Sequence, residues 1–312
     1  MIYIVFFIVL LMAELFYFKI ADRFNIIDKP NLRSSHTQIT LRGGGILFPI
    51  AVVLGFGMGY VSWSLTLAVS LVAVVSFVDD IRPLSQLPRL VAHVLAIGLV
   101  LYDLDLVVLG WWWLPVVAIL LIGWTNAFNF MDGINGITVL YALVSLVSFR
   151  FLPEMVDDVP MLDLMGIACL VFAFFNLRKR AKTFAGDVGS VAMALFLGYY
   201  MVKLIVATQQ VGYLLFFAVY GIDAVLTIFN RLRKRENILE AHRSHLYQYL
   251  ANEKRLPHVA VAVGYAVVQL AVNYSAIYLI QQQALSLTVF MLILIVMSGV
   301  YLSMRYWATR GV

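Results

Sequence analysis

The chain has 312 residues, 63% of them hydrophobic and 12% charged, with a net charge of +5. A soluble domain of this size is nearer one-half apolar and one-quarter charged, so this composition excludes one. The positive balance does not point to nucleic acid, because the basic residues are spread over several loops rather than gathered in one patch. A single cysteine, Cys169, sits inside an apolar run, which rules out an intrachain disulfide and a cysteine metal cluster.

The apolar residues come in long runs with no water-facing stripe, the pattern of lipid-embedded helices. In chain order the runs predict spans near 1–19, 45–61, 64–80, 89–102, 113–130, 137–151, 162–177, 190–208, 212–229, 258–280 and 284–303. The first run lacks a basic start and a small-residue cleavage site, so it is expected to remain as a span with its start outside. The intervening segments 19–44, 81–89, 176–190, 230–257 and 304–312 hold 20 of the 22 Lys and Arg residues. The other loops carry acids instead: Asp103, Asp105, Glu154, Asp157, Asp158 and Asp163. This is the positive-inside bias. The expected fold class is therefore an all-α integral membrane protein of about eleven transmembrane helices, N-terminus periplasmic and C-terminus cytoplasmic. It reads as one polytopic domain over 1–312, with cytoplasmic loops near 20–44, 79–89, 126–136, 176–190 and 230–257.

Five segments carry candidate chemistry, and all fall on the predicted cytoplasmic face. The first loop holds Arg33, Ser34 and His36, then Arg42 and three glycines, a density of phosphate-friendly groups; its plain alternative is a polar connector. Asp79 and Asp80 crowd two carboxylates at a span end, which raises proton affinity or recruits a cation; the alternative is a solvated helix end before Pro83. Asn126 and Asn129 share a helix face, and Asp132-Gly and Asn135-Gly then break that helix. A broken polar segment at this depth lines a wet cavity or is buried in protein, with an ordinary turn as the alternative. In Phe184-Ala-Gly-Asp187-Val-Gly-Ser, glycines let backbone N–H groups approach phosphate and Asp187 can hold a divalent cation, but a simple helix cap would look the same. His242 and His245 flank Arg243 on one helix face, a phosphate-recognition pattern that competes with a lipid-facing basic patch including Arg231, Arg233, Lys234 and Arg235. Glu14, Lys203 and Asp223 lie inside spans, where ionisable residues are functional or ion-paired.

Taken in order, these segments resemble the polyprenyl-phosphate N-acetylhexosamine-1-phosphate transferase superfamily, glycosyltransferase family 4. The resemblance runs through Asp79-Asp80, NAFNFMDGING, FAGDVGS, AHRSHLYQ and RSSH with RGGG, the last two like the branch that initiates O-antigen, capsule and lipopolysaccharide chains. There are departures: Asn135 stands where many members have a second acid, no Pro lies between Asn176 and Phe184, and Tyr247 and Gln248 replace further histidines. The resemblance implies an enzyme of the bacterial inner membrane, moving a sugar 1-phosphate from a UDP-sugar to undecaprenyl phosphate with release of UMP. It implies Mg²⁺, or Mn²⁺ in its place, held by Asp187 and Asn129. Asp79, Asp80 and Asp132 become the catalytic carboxylates. Asn126, Phe184, His242, Arg243, His245, Arg33, Ser34, His36 and Arg42 become substrate contacts. Direct attack of the lipid phosphate is the preferred route, with a covalent aspartyl intermediate as the alternative. The partners implied are the UDP-sugar, undecaprenyl phosphate and the bilayer, with no nucleic acid; the oligomeric state, homodimer included, stays open. The rivals are a transporter built on Glu14, Lys203 and Asp223 and a non-catalytic lipid-binding protein. The basic bias makes the first test one of topology. A reporter fused after Arg310 is expected to be active only on the cytoplasmic side, and activity confined to the periplasm would overturn the odd span count.

Overall fold

The computed structural model describes residues 1–30, 35, 38–237 and 242–310. Helices dominate: α1 (Ile2–Arg23), α2 (Leu47–Gly57), α3 (Trp63–Ile81), α4 (Gln86–Asp103), α5 (Trp113–Phe130) and α6 (Ile137–Arg150). They continue with α7 (Val159–Asn176), α8 (Gly186–Thr208), α9 (Ala218–Arg233), the short α10 (Leu246–Gln248), α11 (His258–Gln281) and α12 (Leu287–Thr309). Strands β1 (Ile27–Asp28) and β2 (Thr40–Leu41) pair antiparallel in the first loop, Ile27 opposite Leu41. Among the described residues nine helical segments are long and apolar enough to cross a membrane, and two shorter apolar ones, Gly44–Gly57 and Ile137–Arg150, fall where the remaining two spans were expected.

The boundaries differ from expectation in instructive ways. The span expected to open at 190 begins at Gly186, because a carboxylate from another helix satisfies its first amides. The span expected over 212–229 is broken: Val211–Phe217 forms 3₁₀ turns before α9 starts. The last helix runs from Leu287, where the Ser286 hydroxyl accepts from Val289 N–H, to Thr309.

Helix α8 is the hub. Nearly every residue from Gly186 to Met201 is buried, and α2, α3, α5 and α6 pack around it. Small residues permit this closeness. A Cβ on Gly189 would lie 2.6 Å from the Cα of Gly45, so the two backbones touch. By contrast α12 buries only Tyr301 and Ala308 and leaves Met291, Leu292, Ile295, Val296 and Val300 exposed, as suits a helix with one face to hydrocarbon.

A broken helix frees backbone groups that lipid cannot satisfy. Gln269 of α11 supplies what the break needs. Its Oε1 accepts from Val219 N–H at 2.9 Å, and its Nε2 donates to Leu215 O at 2.8 Å. The same amide accepts from Tyr141 OH at 2.7 Å and donates to Asn273 Oδ1 at 2.6 Å, so all four of its hydrogen-bonding positions are filled. Asn273 passes the chain on to Ser148 of α6 at 2.8 Å. Replacing Gln269 by Leu is expected to lower unfolding stability in detergent by about 2 kcal/mol, because Val219 N–H, Tyr141 OH and Asn273 Oδ1 each lose their bond to it. Unchanged stability would show that the break is satisfied otherwise.

Candidate active site

The motif loops meet at one end of the bundle, and the joint that unites them is built on Asp80. Its side chain is fully buried at the end of α3. One oxygen accepts from Asp187 N–H and the other from Val188 N–H, each at 3.0 Å. These are orphan donors of the first turn of α8, where a carboxylate also meets the positive end of the helix dipole. Gly186 makes the approach possible: its φ is +69° and a Cβ there would lie 2.5 Å from Asp80 Oδ2. Arg42 Nε bonds the same carboxylate at 2.7 Å. The glycines after Arg42 complete the joint, Gly44 N–H donating to Phe184 O at 2.9 Å and Gly45 N–H to Ala185 O at 3.1 Å. The amides in both glycine segments that were expected to face a phosphate are thus turned on the protein itself.

Around the joint runs an alternating row of charge. Asp187 sits between Arg42, 3.2 Å from Oδ1, and Arg89, 3.7 Å from Oδ2, and keeps 20% of its side chain exposed. Arg89 reaches back to Asp79 at 3.3 Å, whose other oxygen accepts from Leu84 N–H at 2.6 Å. Asp79 therefore closes the turn after α3 and anchors Arg89. Asp187 lies in the first turn of α8, one residue past Gly186, and caps nothing; the bland reading of it as a helix cap does not describe this geometry.

A cavity of about 240 Å³ opens beside Asp187, lined chiefly by Arg42, Asn129, Asp132, Asn135, Phe184 and Gln248. Asn129 Oδ1 accepts from Ser190 Oγ at 2.5 Å, which orients its amide from α5 against α8. Asp132 accepts from Thr138 Oγ1, and burial pushes its carboxyl up to about 6 even though that hydrogen bond pulls the other way. Behind this turn Tyr247 OH donates to Phe130 O at 2.9 Å, and a Cβ on Gly133 would fall 2.1 Å from that hydroxyl. Asn176 accepts from Gly136 N–H at 2.8 Å and donates to Thr183 O at 2.9 Å, tying two cavity loops together. A wider neighbouring cavity of about 670 Å³ shares Ser35, Asn135, Phe184 and His258 and adds Lys179, Arg180 and Arg255.

The structure brings Arg42, Asn129, Asp132, Phe184 and Asp187 to one cavity, with Asp80 directly beneath. It places other expected residues elsewhere. Asn126 Nδ2 turns back to Ile122 O of its own helix at 2.8 Å. Arg243 pairs with Glu253 at 3.4 Å. His245 is buried against Asp223, and His242 lies between His245 and Arg231. Arg33, Ser34 and His36 lie outside the described residues. Sequence reading missed Arg89, counted only as a basic loop residue, and Asp28, Gln248 and His258, which line the cavity from separate segments. The transporter triad does not converge. Lys203 pairs with Asp158 at 2.7 Å at the opposite end of the bundle, Asp223 holds His245, and Glu14 is buried with neither oxygen partnered among the described residues.

These features define a polytopic helical membrane protein with a charged cavity at one end. A family model, glycosyl transferase family 4, matches residues 62–205, which run from α3 to α8 and include Asp79, Asp80, Asn129, Asp132 and Asp187. A probable undecaprenyl-phosphate N-acetylglucosaminyl 1-phosphate transferase of Bacillus subtilis is 26% identical over 74% of this chain and 71% of its own length. A phospho-N-acetylmuramoyl-pentapeptide-transferase of Thermotoga maritima is 27% identical over 59% of this chain and 66% of its own. Its counterpart in Streptococcus equi subsp. zooepidemicus is 37% identical over 28% of this chain and 27% of its own. From α3 to α8 the chain is thus similar to glycosyl transferase family 4, and its relatives are named as polyprenyl-phosphate sugar-1-phosphate transferases.

The raised value of Asp132 has a measurable sign. A carboxyl whose folded value lies above the ordinary range contributes stability while protonated, and that contribution is lost as pH rises through about 6. The Asp132→Asn variant cannot ionise. Its melting temperature in detergent is therefore expected to gain on the wild type as pH goes from about 3.5 to about 7.5, a window that spans both the ordinary and the raised value. A constant difference across that range would contradict the burial of Asp132.

Proposed function

We propose that this protein transfers a sugar 1-phosphate from a UDP-sugar, an N-acetylhexosamine or a 6-deoxy derivative, to undecaprenyl phosphate. UMP leaves and undecaprenyl-diphosphate-sugar is formed, as the first membrane step of a cell-surface polysaccharide of the O-antigen or capsule kind. The site faces the cytoplasm of the bacterial inner membrane, a placement supported by the basic bias of the loops that build it. The observation that carries the reading is the cavity itself: Asp187, Asn129 and Asp132 with Arg42 at its wall, in a chain similar to a relative named for this chemistry.

The donor set suits Mg²⁺. Its atoms are oxygens, and among the described residues no group of three or more His, Cys, Asp or Glu side chains is gathered to hold a metal. A cation held by one or two protein oxygens and completed by phosphate and water is the Mg²⁺ pattern. Asp187 and Asn129 are the residues that would hold it; Asp187 Oδ1 is hydrogen-bonded to Arg42 at 3.2 Å, and Oδ2, 3.7 Å from Arg89, is the oxygen beyond hydrogen-bond distance of its arginine. When bound, the ion neutralises charge between the two phosphates.

The chain's own groups do the rest. Arg42, locked by Asp80, presents a fixed positive charge to two anions that repel each other. Asp132, pushed up to about 6, matches the second ionisation of a phosphate monoester, near pH 6, and can take that proton. The freed lipid phosphate oxygen bonds to the sugar-bearing phosphorus of the nucleotide, and the bond from that phosphorus to the UMP oxygen breaks. Phe184 offers a ring at the rim of the cavity for the uracil. The wider basic cavity alongside gives the nucleotide room that 240 Å³ does not.

Two experiments test this. Purified protein with undecaprenyl phosphate and a panel of UDP-sugars should release UMP in the presence of Mg²⁺; no release from any donor sinks the reading. The Asp187→Asn variant should insert and fold normally, yet lose activity by a factor of roughly 100 or more, the scale of a lost electrostatic group. Added Mg²⁺ should restore part of it if binding is the defect. Near-normal turnover in that variant would remove Asp187 from the metal site.

A further inference from the structure

Away from the cavity, Asp223 of α9 collects five hydrogen bonds with no exposed surface at all. Oδ2 accepts from Tyr265 OH of α11 at 2.7 Å. Oδ1 accepts from Tyr301 OH of α12 at 3.2 Å and from Thr227 Oγ1 of its own helix at 3.2 Å. The other two donors belong to the histidine loop: His245 Nδ1–H and Leu246 N–H, each at 3.1 Å. Leu246 is the first residue of α10, so this carboxylate caps a helix from outside it, as Asp80 does for α8.

The loop is held in one direction of proton donation. Arg231, itself buried, can only donate, so at 2.7 Å the His242 Nδ1 accepts. His242 Nε2–H then donates to His245 Nε2 at 3.1 Å, which leaves Nδ1–H of His245 for Asp223. The run ends on the one group in it that only accepts. Two residues further along, the loop meets the cavity. Gln248 Oε1 accepts from His245 N–H at 3.1 Å and its side chain lines the cavity. Tyr247 is wedged under Gly133 and bonded to Phe130 O, behind Asp132.

We propose that Asp223 is a positioning residue: through Leu246 N–H and His245 it fixes the histidine loop so that Tyr247 and Gln248 form one wall of the catalytic cavity. His245 then acts on the cavity through this wall rather than by touching substrate. The inference deepens the transfer reading and rests on it only for its activity arm.

The test uses the full chain in detergent. Hydrogen exchange without substrate should show amides of 246–253 exchanging at least about 10-fold faster in Asp223→Ala, with α8 unchanged, since each 1.4 kcal/mol of lost anchoring is a factor of ten. Asp223→Asn keeps an oxygen for Leu246 N–H and should restore most of the protection. In kcat/KM, Asp223→Ala and His245→Ala should each lose about 10- to 100-fold. The double variant should be little worse than either single, because both cut the same link. If Asp223→Ala does not fold, His245→Ala serves alone, since it leaves the ties to α11 and α12 in place and must still speed exchange in the loop. Wild-type exchange at 246–253 in either variant, or additive losses in the double, would overturn the proposal. A wild-type protein inactive on every UDP-sugar would sink the transfer reading and leave the exchange result standing.

Discussion

The architecture of the site depends on one carboxylate placed at the start of a helix it does not belong to. Asp80 comes from the end of α3, yet it satisfies the first two free amides past Gly186 in α8 and holds Arg42 from the first loop. Without it the buried N-terminus of α8 would have unsatisfied donors in a region that water does not reach freely. With it, three segments distant in sequence are fixed within a few ångströms, and Asp187 is aimed outward into the cavity between two arginines. The acid beside it, Asp79, has the lesser task of closing the turn and fixing Arg89. Two adjacent aspartates thus face different ways and do different work.

A second site of the same design stands behind the cavity. Asp223 meets the first amide of α10 and an imidazole, as Asp80 meets α8 and a guanidinium. In both places a span supplies the charge, and the start of another helix together with a loop side chain supplies donors. That arrangement lets segments outside the helices keep a defined shape without a soluble domain to pack against. The family match at 62–205 covers Asp80 and the start of α8 but not Arg42, and it stops before the second site.

Much of this was legible in the sequence. The apolar runs located every long helix, because hydrocarbon imposes a length and a composition that can be read residue by residue. The motif loops also came together at one end, because alternate spans must return the chain to the same face. What could not be read was direction. Asn126 and Asn129 share a face by spacing, yet one folds back on its own helix and the other bonds Ser190 of α8. His242 and His245 look alike beside Arg243, but only the packing of Asp223, Tyr265 and Tyr301 shows that the second is buried. Arg89 looked like one more basic residue at a loop end, since its link to Asp187 spans 98 positions (187 less 89). The break before α9 was invisible for a related reason: Val211–Phe217 is as apolar as any span, and the residue that tolerates its irregular backbone lies elsewhere.

That break bears on how the chain is made. Gln269 is synthesised 50 residues after Val219, whose amide it satisfies. At a ribosomal pace of roughly 5–20 residues per second, the nascent chain spends on the order of several seconds with the Val219 amide lacking this partner. A segment in that condition is poorly suited to hydrocarbon, whatever its hydropathy. The α9 region must therefore linger in the insertion machinery, or at the interface beside it, until α11 arrives, so that the two are released into the bilayer as a pair.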